Sequence, residues 1–250
     1  MNSITDRPVA LNVLLDDLKK AGMLDDDNYQ LGQFARRSQS ELKMHPFAFV
    51  GKQKLTNHKT GGKLSEESIC EWAAAEKGLG YSRIDPLEVD VAAITSAMSY
   101  AFSERHKILA IKVNKEELVV ACSEPNITSW VQDLEHVSRR NVVRIIAMPT
   151  EIERHRVEFY QLANSINRAS SQHDGISGIQ NLESMLELGK ASAPDANDEH
   201  IVNVVDWLLQ YAFEQRASDI HIEPRRELGK VRFRIDGVLH LVYELPAQVT

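Results

Sequence analysis

Three side chains that could do acid–base or metal chemistry alternate along one short segment near the end of the chain. Asp219, His221 and Glu223 are separated by the apolar Ile220 and Ile222. A period of two predicts a β-strand with the three polar groups on one face. A histidine between two carboxylates could act as a general base or bind a metal. Residues i and i+2 of a strand lie about 7 Å apart, which is wide for one metal ion, so we favour a solvated face.

The next segment carries the opposite charge. Val231, Phe233 and Ile235 would share one strand face, with Arg232 and Arg234 on the other. If this strand pairs with the acidic one, an acidic row can meet a basic row. Each cross-strand charge pair contributes about 0.2–1 kcal/mol. The pattern therefore favours a charge-compensated sheet face over a catalytic one.

The sequence lacks a phosphate-binding loop of the GxxxxGK[ST] type. Its nearest approach is at Gly62 and Lys63, with Asn57 in place of the first glycine and Leu64 in place of the hydroxyl residue. Without that glycine the turn is not set, and without the hydroxyl there is no magnesium ligand. Together with Gly61, these residues predict a loop before a helix.

The elements around these motifs divide the chain into four parts. Residues 1–60 form a helical N-terminal segment, with a first helix ended by Gly22 and a second over residues 27–40. The first helix is indicated by apolar residues at helical spacing: Leu11, Leu14, Leu15 and Leu18.

Residues 61–168 alternate helices and strands, which predicts a small mixed sheet with helices on it, an α/β (α+β) arrangement. Ser65 and Ser68 offer an imperfect capping box. The predicted helices cover about residues 65–76, 89–102, 127–137 and those from 149 onward. The predicted strands cover residues 107–113, 118–122 and 142–148.

Residues 169–197 are rich in serine, glycine and alanine and predict a flexible linker, with a short helix over residues 179–188. Residues 198–250 begin a second sheet domain. An apolar helical stripe is followed by three strands, and Asp236-Gly237 predicts the hairpin turn before the last one. Three strands and one helix make a thin core, so we expect this domain to be truncated.

Composition limits the class of protein. The net charge of −7 gives no general attraction for nucleic acid or anionic lipid. No stretch approaches the ~20 apolar residues of a membrane span, so membrane association would require a protein partner. Cys70 and Cys122 belong to no CxxC pair, which argues against a zinc site and fits a reducing cytoplasm.

Two strings carry a family resemblance. One is Ala-Ser-Asp-Ile-His-Ile-Glu-Pro at residues 217–224, and the other is Arg-Phe-Arg-Ile-Asp-Gly at residues 232–237. Together they resemble the signature of the type II secretion and type IV pilus assembly ATPases (the GspE/PulE/PilB family). The residues that carry the signature are Ser218, Asp219, His221, Glu223, Pro224, Asp236 and Gly237. Residues 79–125 resemble the family's N-terminal domain, with Ala110 where the family usually has proline.

The resemblance implies a parent protein that is a cytoplasmic homo-hexamer, using ATP and magnesium in an engine domain that this chain lacks. It implies docking on an inner-membrane platform protein, peripheral to that membrane, with no nucleic-acid partner and no direct membrane insertion. Arg232 and Arg234 are the candidates for reaching nucleotide phosphates. We expect this chain to bind no cofactor and to be inactive alone.

Some N-terminal domains of the family bind cyclic di-GMP through an Arg-Leu-Gly motif followed by a glycine. Gly22 is in place, but Val13-Leu14-Leu15 stands where Arg-Leu-Gly would be. The missing arginine removes a guanine or phosphate contact, and the missing glycine removes a close backbone approach.

Three functions remain open at this stage. The first is a docking and regulatory region of an assembly ATPase, or a stand-alone adaptor of the same system. The second is a cyclic di-GMP sensor. The third is an unrelated small enzyme that uses the face formed by Asp219, His221 and Glu223.

Overall fold

The computed structural model describes residues 6–171, 199–226 and 228–246. They belong to two compact units, one ending at Val157 and the other beginning at Glu158. The fold is mixed α/β with two separate sheets, as the sequence predicts. Among the described residues, no helix is both long enough and apolar enough to cross a membrane.

The N-terminal region consists of short helices: α1 (Leu11–Lys20), α2 (Asp26–Gln33) and α3 (Pro46–Lys52). Helix α1 buries three of its four predicted leucines, Leu14, Leu15 and Leu18. Gly22 follows the helix with a φ of 70°, a conformation that favours glycine. The predicted helix over residues 27–40 is wrong at its end, because α2 stops at Gln33. Leu31 and Phe34 are 64% and 79% exposed, so no buried face holds a longer helix.

Helix α4 (Glu66–Lys77) begins at a complete capping box. The Ser65 hydroxyl accepts from the Ser68 N–H at 3.1 Å, and the Ser68 hydroxyl accepts from the Ser65 N–H at 3.0 Å. Serine thus supplies the reciprocal bond that glutamate usually makes. The helix ends at Gly78, whose φ is 63°.

The first sheet has the order β1-β4-β3-β2. Only the β2–β3 pair is antiparallel, and the others are parallel. Its strands are β1 (Gly80–Tyr81), β2 (Ile108–Val113), β3 (Glu117–Cys122) and β4 (Asn141–Ile146). The two-residue β1 was not predicted, because it is too short to show alternation.

The predicted helix over residues 89–102 is wrong, because the structure has two helices there, α5 (Val91–Ala97) and α6 (Tyr100–His106). Met98 is extended, and the Ser99 hydroxyl accepts from the Phe102 N–H, so a new helix starts at that cap.

Two later helices agree better with prediction. Helix α7 (Ser129–Ser138) buries Trp130 and Leu134, whereas Val137, near its end, is 74% exposed. Helix α8 (Pro149–Ser171) begins at the predicted proline. The predicted helix over residues 179–188 lies outside the described residues.

The second unit packs α9 (Glu199–Glu214) on an antiparallel sheet of order β5-β6-β7. Its strands are β5 (Asp219–Glu223), β6 (Leu228–Ile235) and β7 (Val238–Pro246). An aromatic cluster joins helix and sheet, with ring centroids 5.1–6.4 Å apart: Trp207, Tyr211, Phe233 and Tyr243. Ile222, an apolar residue of β5, is 49% exposed, because β5 is an edge strand of this sheet.

Candidate functional site on the second sheet

The polar groups singled out by the sequence meet on one face of the second sheet. Strands β5 and β6 are antiparallel, with Asp219 opposite Arg234 and His221 opposite Arg232. The predicted pairing of an acidic row with a basic row is therefore present.

Arg234 is the most connected side chain of this face. Its Nε donates to Asp219 Oδ2 at 3.1 Å, and its Nη1 donates to the Gly237 carbonyl at 3.3 Å. Its Nη2 lies 3.3 Å from His221 Nε2. One guanidinium thus links the edge strand to the hairpin turn.

Glu223 holds a second arginine. Its Oε1 accepts from Arg232 Nη1 at 2.7 Å, and its Oε2 accepts from Arg225 Nη2 at 3.1 Å. Charge-assisted bonds of this kind are short and directional. Both arginines predicted to approach phosphate are therefore bound to carboxylates.

His221 lies beside a permanent cation. Its Nε2 is 3.3 Å from Arg234 Nη2, and a guanidinium has only N–H donors and no acceptor. On that side the ring faces an arginine of the neighbouring strand. Among the described residues, no three histidine, cysteine or carboxylate side chains are grouped to hold a metal ion.

The remaining signature residues shape the ends of these strands. The Ser218 N–H donates to the Arg234 carbonyl at 2.9 Å, and its hydroxyl donates to Asp219 at 2.8 Å. Asp236 and Gly237 have φ values of 48° and 83°, as a two-residue hairpin turn requires. Pro224 directly follows β5.

Two N-terminal segments that the sequence offers as binding motifs, at Leu14–Leu15 and at Gly61–Gly62, serve the fold in the structure. Leu14 and Leu15 are 3% and 1% exposed, so both side chains pack in the core. The Gly61–Gly62 loop is closed by backbone bonds, with the Asn57 N–H on the Gly62 carbonyl and the Gly61 N–H on the Asn57 carbonyl, each 2.8 Å. It precedes α4, as predicted.

A set of long-range polar contacts in the first unit has no signal in the local sequence pattern. Glu124 accepts from the Val9 N–H at 2.8 Å and from His45 Nε2 at 3.2 Å. Asp6 accepts from the N–H groups of Thr128 and Ser129, each at 3.0 Å. These bonds join residues more than 75 positions apart, which no local pattern reveals.

Two family models match parts of the chain. Residues 78–166 match the MshEN domain, and residues 195–250 match the family described as type II/IV secretion system protein. Over these two segments the chain is similar to proteins of type II secretion and type IV pilus assembly.

Individual relatives carry related names. The type IV pilus assembly ATPase TfpB of Acinetobacter baylyi is 39% identical over 235 residues, covering 93% of this chain and 40% of that protein. The type IV pilus assembly ATPase PilB of Myxococcus xanthus is 26% identical over 188 residues, covering 75% and 33%. A solved structure of MshE with cdg is 18% identical, with a TM-score of 0.38, and covers 61% of this chain and 99% of that one. The chain thus spans less than half the length of these two curated relatives.

Proposed function

We propose that this chain is the docking and regulatory part of a traffic ATPase that powers type II secretion or type IV pilus assembly. In this proposal ATP hydrolysis, with magnesium, takes place in an engine domain outside these 250 residues. The whole protein would be a cytoplasmic homo-hexamer held at the inner membrane by a platform protein. The matched MshEN and secretion-protein segments, and relatives named pilus assembly ATPases, support this proposal.

One observation of the structure carries it. Arg232 and Arg234 are the candidates for contacting nucleotide phosphates. Each is bound by a carboxylate of the neighbouring strand. Such a face is satisfied without ligand and acts as a scaffold. To bind a phosphate, either arginine would first have to break its bond to the carboxylate. Nothing among the described residues favours that exchange.

A binding titration tests the docking role directly. The chain would be titrated against the purified cytoplasmic region of the inner-membrane platform protein from the same organism. We expect saturable binding at micromolar affinity. Absence of binding at high micromolar concentration of both proteins would contradict the proposal.

A catalytic assay tests the second half of the proposal. The purified chain with ATP and magnesium should release no phosphate above the rate of a buffer control. Reproducible turnover by residues 1–250 would show that hydrolysis does not need a separate engine. For a stand-alone adaptor, the downstream reading frame is informative, because a GxxxxGKT segment beyond Thr250 favours the ATPase and a stop codon favours the adaptor.

Cyclic di-GMP sensing is the second candidate, and the N-terminal motif bears on it. Gly22 has a left-handed backbone conformation, with a φ of 70°. However, the residue in the place of the arginine is Val13, which is apolar and 50% exposed, and Leu15 is buried in the place of the glycine, so this site would have to bind without a guanidinium. Calorimetric titration with cyclic di-GMP decides the matter, and no heat at high micromolar ligand would end this candidate.

A further inference from the structure

The charge of this chain is unevenly distributed. Residues 31–63, the basic segment, hold seven lysines and arginines and one carboxylate, that of Glu41, a net charge of +6. The rest of the chain therefore carries −13, against an overall charge of −7. Because salt screens charges beyond about 8 Å, a local cluster of cations attracts anions whatever the overall charge. The cations of the segment are Arg36, Arg37, Lys43, Lys52, Lys54, Lys59 and Lys63.

Six of these seven cations are exposed, and five of the six make no ion pair among the described residues. Arg37 is engaged internally, because its Cζ lies 4.7 Å from the centroid of the Phe49 ring and its Nη2 donates to the Glu41 carbonyl. Lys52 donates to the Glu41 carboxylate at 2.7 Å and neutralises the one acid of the segment. Five side chains are left to set the charge of this surface: Arg36, Lys43, Lys54, Lys59 and Lys63.

Hydrogen bonds tie the basic segment together. Thr56 and Lys63 pair across its second half, which forms a hairpin-like loop. The Thr56 N–H also donates to Asn28 Oδ1 at 2.9 Å, so the loop is bound to α2. The Lys52–Glu41 ion pair joins the second half of the segment to the first. The cations are therefore carried by connected backbone within the folded unit.

Aspartates at the start of α2 are engaged within the same unit. Asp26 accepts from Lys19 Nζ at 2.6 Å, and Asp25 accepts from the Asn28 N–H at 2.8 Å. Carboxylates that already have partners compete less well for the exposed lysines and arginines of the basic segment.

Three large apolar side chains are exposed at the start of the same segment. Leu31, in the last turn of α2, Phe34 just after it, and Leu42 are 64%, 79% and 61% exposed. Cations interspersed with exposed leucine and phenylalanine are typical of a surface that lies at the headgroups of an anionic bilayer. Nucleic acid would engage the cations, but its phosphates and sugars offer little to aliphatic side chains.

We propose that the basic segment binds directly to the surface of a membrane that contains anionic lipid. The exposed lysines and arginines attract the headgroup phosphates, and Leu31, Phe34 and Leu42 enter the boundary between headgroups and acyl chains. The contact is interfacial and requires no membrane-spanning helix. It goes beyond the proposed function, because the chain would hold the membrane without any platform protein.

Co-sedimentation of the chain with vesicles tests the proposal. We expect saturable binding to vesicles of equimolar phosphatidylcholine and phosphatidylglycerol, and none to vesicles of phosphatidylcholine alone. Binding should be lost in about 1 M salt, where the screening length falls to about 3 Å. Equal binding to both kinds of vesicle, or no binding to either, would overturn the proposal.

Two pairs of charge reversals locate the contact. Lys43→Glu combined with Lys59→Glu should weaken vesicle binding at least about tenfold. Lys112→Glu combined with Lys115→Glu is the matched control, because both lysines are exposed, lie outside the basic segment and give the same change of net charge. Equal losses from the two pairs would show that net charge alone governs binding and would contradict a specific surface.

The apolar contribution distinguishes a bilayer from another polyanion. Phe34→Ser should also weaken vesicle binding, whereas Val137→Ser, whose side chain is 74% exposed elsewhere in the unit, should not. If Phe34→Ser had no effect and a DNA duplex displaced the chain from the vesicles, the segment would be a polyanion site and the proposal would fail. The vesicles contain no platform protein, so this inference and the docking role can fail independently.

Discussion

Asp219 and Arg234 lie directly opposite each other on β5 and β6, with Arg234 Nε donating to Asp219 Oδ2 at 3.1 Å. The same guanidinium donates to the Gly237 carbonyl of the hairpin turn. The pair therefore helps to fix the register of β5 against β6, and the same arginine ties these strands to the turn between β6 and β7. Asp219, whose sequence context suggests a catalytic cluster, is thus used in the structure to hold β5 against β6.

Removing the Asp219–Arg234 pair should lower the stability of the protein by a small but measurable amount. Arg234→Ala should lower the free energy of unfolding by about 0.2–1 kcal/mol, because a partly exposed cross-strand pair contributes in that range. Urea denaturation checks the value. A double-mutant cycle with Asp219→Asn should give a coupling of about 0.2–1 kcal/mol.

Arg225→Ala is the control for this cycle. Arg225 makes one bond to Glu223 and is 54% exposed, so its loss should be smaller. A coupling of zero between Asp219 and Arg234 would mean that the hydrogen bond does not stabilise the sheet.

The aromatic core of the second unit should be far more sensitive. Phe233 is fully buried and lies 5.6 Å, between ring centroids, from Tyr211. Phe233→Ala should cost about 3–5 kcal/mol, because it removes buried area and leaves a cavity. The fluorescence of Trp207, which stacks on Tyr211, can follow unfolding of this unit.

Phe213→Ala is the matched control in the same unit. Phe213 is 87% exposed, so at low protein concentration its replacement should change stability by less than about 0.5 kcal/mol. Equal costs for the two substitutions would contradict the burial of Phe233.

Local periodicity was sufficient to predict much of this fold. Alternation along residues 219–223 and 230–235 placed charges and core on opposite faces, and Asp236-Gly237 predicted the turn. The register that joins Asp219 to Arg234 followed from pairing these two patterns. Within a strand, the side-chain period alone decides which face each residue occupies.

Other features depend on contacts that a local pattern does not contain. The break between α5 and α6 comes from the Ser99 cap, which an apolar stripe running across it conceals. The exposure of Val205 and Leu209 depends on how much of α9 the sheet covers. Asp6 and Glu124 have partners far along the chain, so no spacing rule could have identified them.

Gly51 should resist substitution although it lies in a helix. Alanine has the better helix propensity, but a Cβ at Gly51 would lie 2.5 Å from the Glu66 backbone nitrogen. Relief requires a shift of backbone at the start of α4, so Gly51→Ala should cost about 1–3 kcal/mol. Thermal or urea denaturation measures this. Gly62→Ala is the control, since its nearest neighbour is a threonine hydroxyl at 3.6 Å; if Gly51→Ala were as mild, the close approach would be wrong.

Asp6 should make stability depend on pH through the start of α7. Thr128 offers no side-chain cap, and Asp6 accepts from the first N–H groups instead. Hydrogen bonds to Ser129 and Thr128 hold the pKa of Asp6 below its ordinary value of 3.8. A lowered carboxyl pKa contributes stability above the unfolded-state pKa, and this contribution is lost as pH falls through the folded-state pKa.

Unfolding of the wild type and of Asp6→Ala should therefore differ near neutral pH, and the difference should shrink only as the pH falls below 3.8 and through the lower folded-state pKa of Asp6. Asp6→Asn keeps a side-chain acceptor without a titrating proton, so its stability should lie between the two and its deficit should also shrink in acid. Comparing each variant with the wild type at the same pH removes the contribution of the other carboxylates. A difference between wild type and Asp6→Ala that stays constant down to strongly acidic pH would mean that the Asp6 charge does not cap α7.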